Sequence, residues 1–284
     1  MVSQKPISES KPQGSILGRT LTSLLVSLIT CLLVAIGNNL YVALLAKKLG
    51  FVIKLNITGI DISPKINWYY NLGKEIVLFL LPSLVPLLFS LFLSMWLRDH
   101  YKKNTLLRFF LFWLMMWCFL WPFAQMLAAP FTMINWENNV NYQGLAVIAN
   151  WVLIPPFAIG ILGILGIGIV TLFGFFNARY FFRYIWSLQQ VGSRRFWLQA
   201  MFYLPLSGTI PICIFLSWPR ISLPHIFFCI LAVFFGIGMS LSVRFYKAPA
   251  TEEGLDVTRR PNTDLLVTAV MLIVFARFIM PVLF

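Results

Sequence analysis

The chain has very few of the side chains that usually carry chemistry. Only 9 of its 284 residues are Asp or Glu, 2 are His and 4 are Cys. The histidines and cysteines are scattered, with no CxxC and no HxxxH pair. Zinc and haem sites need ligands clustered at short spacings, so the sequence predicts no such metal site and no cofactor. We also expect no disulfide framework, and the cysteines should pack as small apolar side chains.

Long apolar stretches take the place of these groups. Hydrophobic residues make up 60% of the chain, with 27 Phe and 10 Trp, and the mean hydropathy is +0.84. A helix needs about 20 mostly apolar residues to cross a membrane. We interpret the stretches 21–46, 76–97, 106–129, 157–178, 197–218, 222–243 and 264–284 as spans. No alternating barrel pattern is present, so the sequence predicts an all-α integral membrane protein, a polytopic bundle of about seven transmembrane helices, with six to eight as the range.

The polar residues before the first span predict a disordered, basic amino-terminal tail over 1–20, which leaves 21–284 as one transmembrane domain. The tail carries Lys5, Lys11 and Arg19. The first apolar run is too long for a signal peptide and ends without a small-residue cleavage site, so we expect it to stay in the membrane.

The net charge of +13 is distributed by membrane side. With a cytoplasmic amino terminus, the tail and the joints 98–105, 179–195 and 244–263 hold most of the basic residues on one face, as the positive-inside rule requires. The predicted partner is therefore a bilayer with anionic lipids rather than nucleic acid. We expect a bacterial plasma (inner) membrane. The lysine-rich loop 47–75 disagrees, so either the orientation is inverted or this segment folds back against the membrane.

The second half of the first span carries a resemblance to a known family. Residues 36–51 contain two asparagines, small residues and a leucine-glycine pair, and the β-prone stretch 52–57 follows. This order is similar to the first core segment of site-2-protease-type intramembrane zinc metallopeptidases. The alignment puts their HExxH motif on Asn38, Asn39 and Val42, so both zinc-binding histidines and the glutamate base are replaced. The resemblance therefore implies a degenerate relative without peptidase activity.

The resemblance extends to a second segment. Residues 130–138 correspond to the stretch where the family has an aspartate as its third zinc ligand, and the acidic residue here is Glu137. Asn38 and Asn39 also have a second interpretation, because amides inside a span can form hydrogen bonds between helices. A vestigial site and helix packing both remain open for these two residues.

Arg277 is the one charge deep within a predicted span. Under the seven-span topology the carboxyl end and the 130–143 joint lie on the same face, and Glu137 is the only acid of that joint. Arg277 should therefore either snorkel to lipid phosphate or form a buried pair with Glu137.

The fourth span has three further features. Gly160, Gly163, Gly166 and Gly168 predict a close approach to another helix. The stretch 144–154 is apolar but too short to span, which predicts a half-helix that re-enters the membrane. The aromatic residues of 173–186 alternate with arginines and predict an interfacial belt.

Two functional classes fit these features. The first is a non-enzymatic membrane protein, either a catalytically inactive site-2-protease-like scaffold or a subunit that binds another membrane protein or lipid. The second is a transporter or permease component for an uncharged or anionic solute. Enzymatic activity is disfavoured, because no catalytic or zinc motif is intact.

Overall fold

The computed structural model describes residues 16–50, 52–56, 59–63, 73, 76–99, 105–134, 144–185, 193–217, 223–245 and 263–279. Their elements, in chain order, are α1 (Ile16–Lys48), β1 (Val52–Asn56), β2 (Gly59–Ser63), α2 (Leu81–Asp99), α3 (Thr105–Ile134), α4 (Gly144–Trp151), α5 (Pro156–Ile185), α6 (Arg194–Leu198), α7 (Leu204–Ser217), α8 (Leu223–Ser242) and α9 (Thr263–Val274). Three π-helical turns accompany them: Ile76–Leu80 precedes α2, Gln199–Tyr203 joins α6 to α7, and Phe275–Ile279 follows α9.

These helices confirm the predicted polytopic membrane bundle. Among the described residues, 6 helices are long and apolar enough to cross a membrane. The segment Thr263–Val274 is a shorter apolar helix, and it corresponds to the first part of the predicted span 264–284. The predicted half-helix is present as α4, and a turn separates it from α5.

The first helix begins earlier than predicted. It starts at Ile16, so the last five residues assigned to the disordered tail are helical. Arg19 is buried, and its guanidinium carbon lies 6.0 Å from the ring centroid of Trp197. This contact between a cation and an aromatic face explains how a charged residue extends the helix instead of ending it. The preceding part of the tail, residues 1–15, lies outside the described residues.

A two-stranded antiparallel hairpin follows α1. Its register pairs Val52 with Ser63 and Asn56 with Gly59. Gly50, which ends the turn after α1, has φ 85°, a left-handed conformation that glycine adopts without steric cost. The hairpin lies where the sequence has its β-prone stretch, and it contacts α1.

Helices α1 and α3 form the centre of the bundle. In their most apolar windows 67% of the residues are buried, against 28% for α5. Aromatic rings fill the space around α3: Trp113 stacks on Phe202 with centroids 5.1 Å apart, and Phe119 stacks on Phe173 at 3.6 Å. Such pairs add to the gain from burying apolar area.

The predicted aromatic belt is wrong for part of its length. Phe181 and Phe182 are fully buried, and Phe181 packs against Phe112 and Phe202. Their proximity to arginines in the sequence suggested a membrane interface. The helix instead turns these two rings inward, and aromatic side chains of α3 and of the π-helical turn before α7 pack against Phe181.

Glycines set the closest helix approaches. A Cβ at Gly238 of α8 would overlap the carbonyl oxygen of Thr171 in α5, and one at Gly174 of α5 would overlap that of Phe235. Gly163 and Gly166 face α3, where a Cβ would lie 2.9 Å from Leu127 and 2.7 Å from Phe123 respectively. The predicted close approach is therefore present.

Gly168 differs from these glycines, because a Cβ there would meet nothing within 4 Å.

We expect Gly238→Ala to destabilise the bundle, because the backbone of α5 leaves no room for a methyl group. Overpacking of this kind costs about 1–3 kcal/mol. Gly168→Ala is the matched control: it adds the same methyl group in open space and should leave stability unchanged or slightly raised. Thermal unfolding of both variants in detergent would test this, and equal melting temperatures would contradict the close crossing of α5 and α8.

Candidate functional site

Asn38 joins three helices in the structure. In the amide orientation that suits its neighbours, Nδ2 donates to the carbonyl oxygen of Pro82 in α2 at 2.9 Å. Its Oδ1 accepts from Nε1 of Trp121 in α3 at 3.3 Å. Both polar atoms of the side chain are therefore used between helices, and Trp121 itself is buried.

A proline inside α2 explains why Asn38 donates to the carbonyl of Pro82. Pro86 lies inside α2 and has no N–H group, so it cannot bond to the carbonyl four residues earlier. That carbonyl belongs to Pro82. An unpaired backbone carbonyl is costly in an apolar interior. The amide of Asn38 takes the place of the missing backbone donor.

The same arrangement recurs at the other end of α1. Ser23 donates from Oγ to the carbonyl oxygen of Met201 at 2.6 Å. Met201 lies four residues before Pro205, so its carbonyl also lacks the usual donor. The π-helical turn Gln199–Tyr203 contains this carbonyl, and the N–H of Leu204 reaches back to Gln199.

A third contact lies between these two. Ser27 accepts at its backbone carbonyl from Nε1 of Trp117 at 3.1 Å and at Oγ from the hydroxyl of Thr209 at 3.0 Å. Ser23, Ser27 and Asn38 follow one another at separations of 4 and 11 residues, which keeps them on one face of a helix. We call these three residues the polar seam of α1.

The other residues of the aligned HExxH motif have different environments. Asn39 is buried at 5% exposure, and Val42 is half-buried against an apolar cluster. Consecutive residues point about 100° apart on a helix. Asn38 and Asn39 therefore face different sides of α1, and the side chain of Asn38 contacts α2 and α3.

The predicted pair of Arg277 and Glu137 stays a prediction. Arg277 is exposed in the π-helical turn that follows α9. Glu137 lies outside the described residues.

His225 is a residue near the site that the sequence did not indicate. Its ring lies edge-on to Trp121, with centroids 5.7 Å apart. Trp121 thus contacts both Asn38 and His225. No local pattern could have placed them together, because they come from α1, α3 and α8, and helix order in space is not encoded in the period of any one span.

The described residues contain no group of three or more His, Cys, Asp or Glu that could hold a metal ion. The groups hydrogen-bonded to Asn38 are a backbone carbonyl and an indole N–H, and the imidazole of His225 lies beside that indole. The amide, the carbonyl and the indole are neutral and do not exchange protons at ordinary pH. The arrangement of Asn38 is suited to joining helices.

Comparison of the chain with protein-family models, with curated proteins and with solved structures finds no match.

We expect the effect of Asn38→Ala to depend on Pro86. Alone, the substitution leaves the Pro82 carbonyl and the Trp121 N–H without partners and should lower the free energy of unfolding by about 1–3 kcal/mol. In a Pro86→Ala background the restored backbone N–H can bind that carbonyl, so the loss should be smaller. Melting temperatures in detergent for the four proteins of this cycle would measure the difference.

Gly37→Ala is the control for this cycle, since it alters the adjacent residue where a Cβ meets nothing within 4 Å. It should have little effect in either background. Identical losses from Asn38→Ala with and without Pro86 would contradict the explanation by a freed carbonyl.

Proposed function

We propose that this integral membrane protein is a non-enzymatic scaffold or subunit that binds another membrane protein or lipid. In this proposal it is a non-proteolytic relative of site-2-protease-type metallopeptidases. The supporting observation is the hydrogen bonding of Asn38, the residue at the position of the first motif histidine. Both polar atoms of its amide form hydrogen bonds with α2 and α3.

The chemistry of these positions supports the proposal. Zinc is bound by thiolate, imidazole or carboxylate ligands, and Asn38, Asn39 and Val42 provide none of them. Rotating Asn38 towards a ligand would also leave the Pro82 carbonyl and the Trp121 indole without these hydrogen bonds. The helix contacts and a ligand role compete for the same amide.

The packing around α3 favours a scaffold over a permease. A solute path would need polar space between helices. Trp113, Trp117 and Phe119 are instead almost fully buried where α3 meets its neighbours. The ring of Trp117 packs against Phe228 at 5.0 Å, and Phe119 stacks on α5.

One observation favours the permease alternative. Helix α4 is a short helix that packs against α3 and against the π-helical turn before α2. Gly144 at its start fits closely against Gln125, which accepts a hydrogen bond from Ser83 at 2.5 Å. Transporters often place such short helices beside a polar substrate site. Uptake of a neutral or anionic solute into vesicles that contain only this chain would support that function.

We predict that the purified protein holds no stoichiometric zinc and cleaves no membrane-embedded peptide. The matched comparison is the triple variant Asn38→His, Asn39→Glu and Val42→His, which rebuilds the motif. Its two imidazoles lie on one helix face and should raise zinc content in elemental analysis. One zinc per chain in the unsubstituted protein would contradict the proposal.

We also predict a membrane partner. Purification of the tagged chain in mild detergent should yield a second membrane protein at a fixed molar ratio, or retained anionic lipid measured by mass spectrometry. The reverse experiment, with the tag on the partner, should recover this chain. A chain that purifies alone, without lipid, and transports a solute in vesicles would contradict the scaffold function.

A further inference from the structure

Two of the four cysteines contact each other within the bundle. The sulfur of Cys31 in α1 lies 3.3 Å from that of Cys213 in α7, although the residues are 182 positions apart. The cysteines are scattered over separate spans in the sequence, and the fold brings the thiols of Cys31 and Cys213 into contact.

The polar seam fixes the register that brings the two thiols together. Ser27 and Thr209 are hydrogen-bonded, and each lies one helical turn before a cysteine of the pair. Helices α1 and α7 therefore run side by side in the same direction at this point. Cys31 and Cys213 lie one helical turn further along and form the next contact between the two helices.

The separation of the thiols is close to that of a disulfide. An S–S bond is about 2.05 Å long, so the two sulfurs need to approach by about 1.2 Å. Pro211 lies two residues before Cys213 and removes a backbone hydrogen bond from α7. The turn of α7 that leads into Cys213 thus has one backbone bond fewer, and a small shift there can close the gap.

The accessible side of the thiol group faces the surface that lipid covers. Cys31 is buried, whereas Cys213 and Cys229 are half-exposed. Both residues lie in helices that are long and apolar enough to cross a membrane, and Ile226 and Ile230, near Cys229 on α8, are each 41% exposed. An oxidant that reaches these thiols must be lipid-soluble. Charged, water-soluble disulfides such as oxidised glutathione do not enter this region.

We propose that Cys31 and Cys213 are a redox pair that forms a reversible disulfide with a membrane quinone as the electron acceptor. Two S–H bonds break and one S–S bond forms. Two electrons and two protons pass to the quinone, which becomes the quinol. The product links α1 covalently to α7 beside the polar seam, and a dithiol reductant returns both thiols.

The test uses the full chain, reduced and reconstituted in lipid nanodiscs. A short-chain benzoquinone with a fully substituted ring oxidises thiols without adding to them. After denaturation, free thiols are counted by the mass shift from a maleimide reagent. We expect the quinone to reduce the count from 4 thiols to two, with one quinol formed per chain. Peptide mass spectrometry should find Cys31 joined to Cys213.

Cys118→Ser is the matched control, because this buried cysteine lies on α3. This variant should lose two of its three remaining thiols at the same rate as the unsubstituted protein. Cys31→Ser and Cys213→Ser should form no bond between α1 and α7. Thr209→Val, which removes the hydrogen bond to Ser27 and nearly keeps the volume, should slow oxidation. Oxidation should raise the melting temperature of the unsubstituted protein and of Cys118→Ser, but not of Cys31→Ser.

Three results would overturn the proposal. The first is a chain that keeps all its thiols in the presence of the quinone. The second is a disulfide between different chains or between other cysteines. The third is faster oxidation by oxidised glutathione than by the quinone, which would show that the thiols are reached from water.

Discussion

The structure depends on how α1 satisfies backbone carbonyls that prolines have freed. In an apolar interior a carbonyl without a partner is costly, and water is not there to supply one. Pro86 and Pro205 each remove the donor that their helix would have provided. Asn38 and Ser23, at opposite ends of one face of α1, provide the replacement. The first helix is thus bound to α2 at one end and to the turn before α7 at the other.

These two contacts determine more than local hydrogen bonding. They fix the rotation of α1, because its polar face must point towards both prolines. They also fix its height, because each donor must reach one particular carbonyl. With rotation and height set, Ser27 meets Thr209 and Trp117, and Cys31 meets Cys213. Polar contacts within a membrane give specificity in this way, while most of the packing energy comes from apolar and aromatic side chains.

The sequence predicts the spans well, because each depends only on the composition of one continuous stretch. It predicts pairing poorly. Prolines and polar residues are visible in the spans, but nothing in a local pattern says that Asn38 lies opposite Pro82. Phe181 and Phe182 show the same limit. Aromatic residues close to arginines in the sequence occur both at a membrane interface and at the end of a buried helix, so the pattern does not distinguish the two. The charge of Arg19 predicts a place in the tail, because its partner, Trp197, is distant in the chain.

The role of Asn38 bears on the proposed relation to zinc peptidases. A histidine at this position could donate to the Pro82 carbonyl from one ring nitrogen and bind a metal through the other, as metal-ligating histidines often do. It would then have no acceptor left for the indole of Trp121. Asparagine offers a donor and an acceptor on one rigid amide, so it satisfies the carbonyl and the indole together. A histidine that binds a metal cannot also accept from Trp121, so under the proposed relation the amide is the residue that holds α1, α2 and α3 together without a metal.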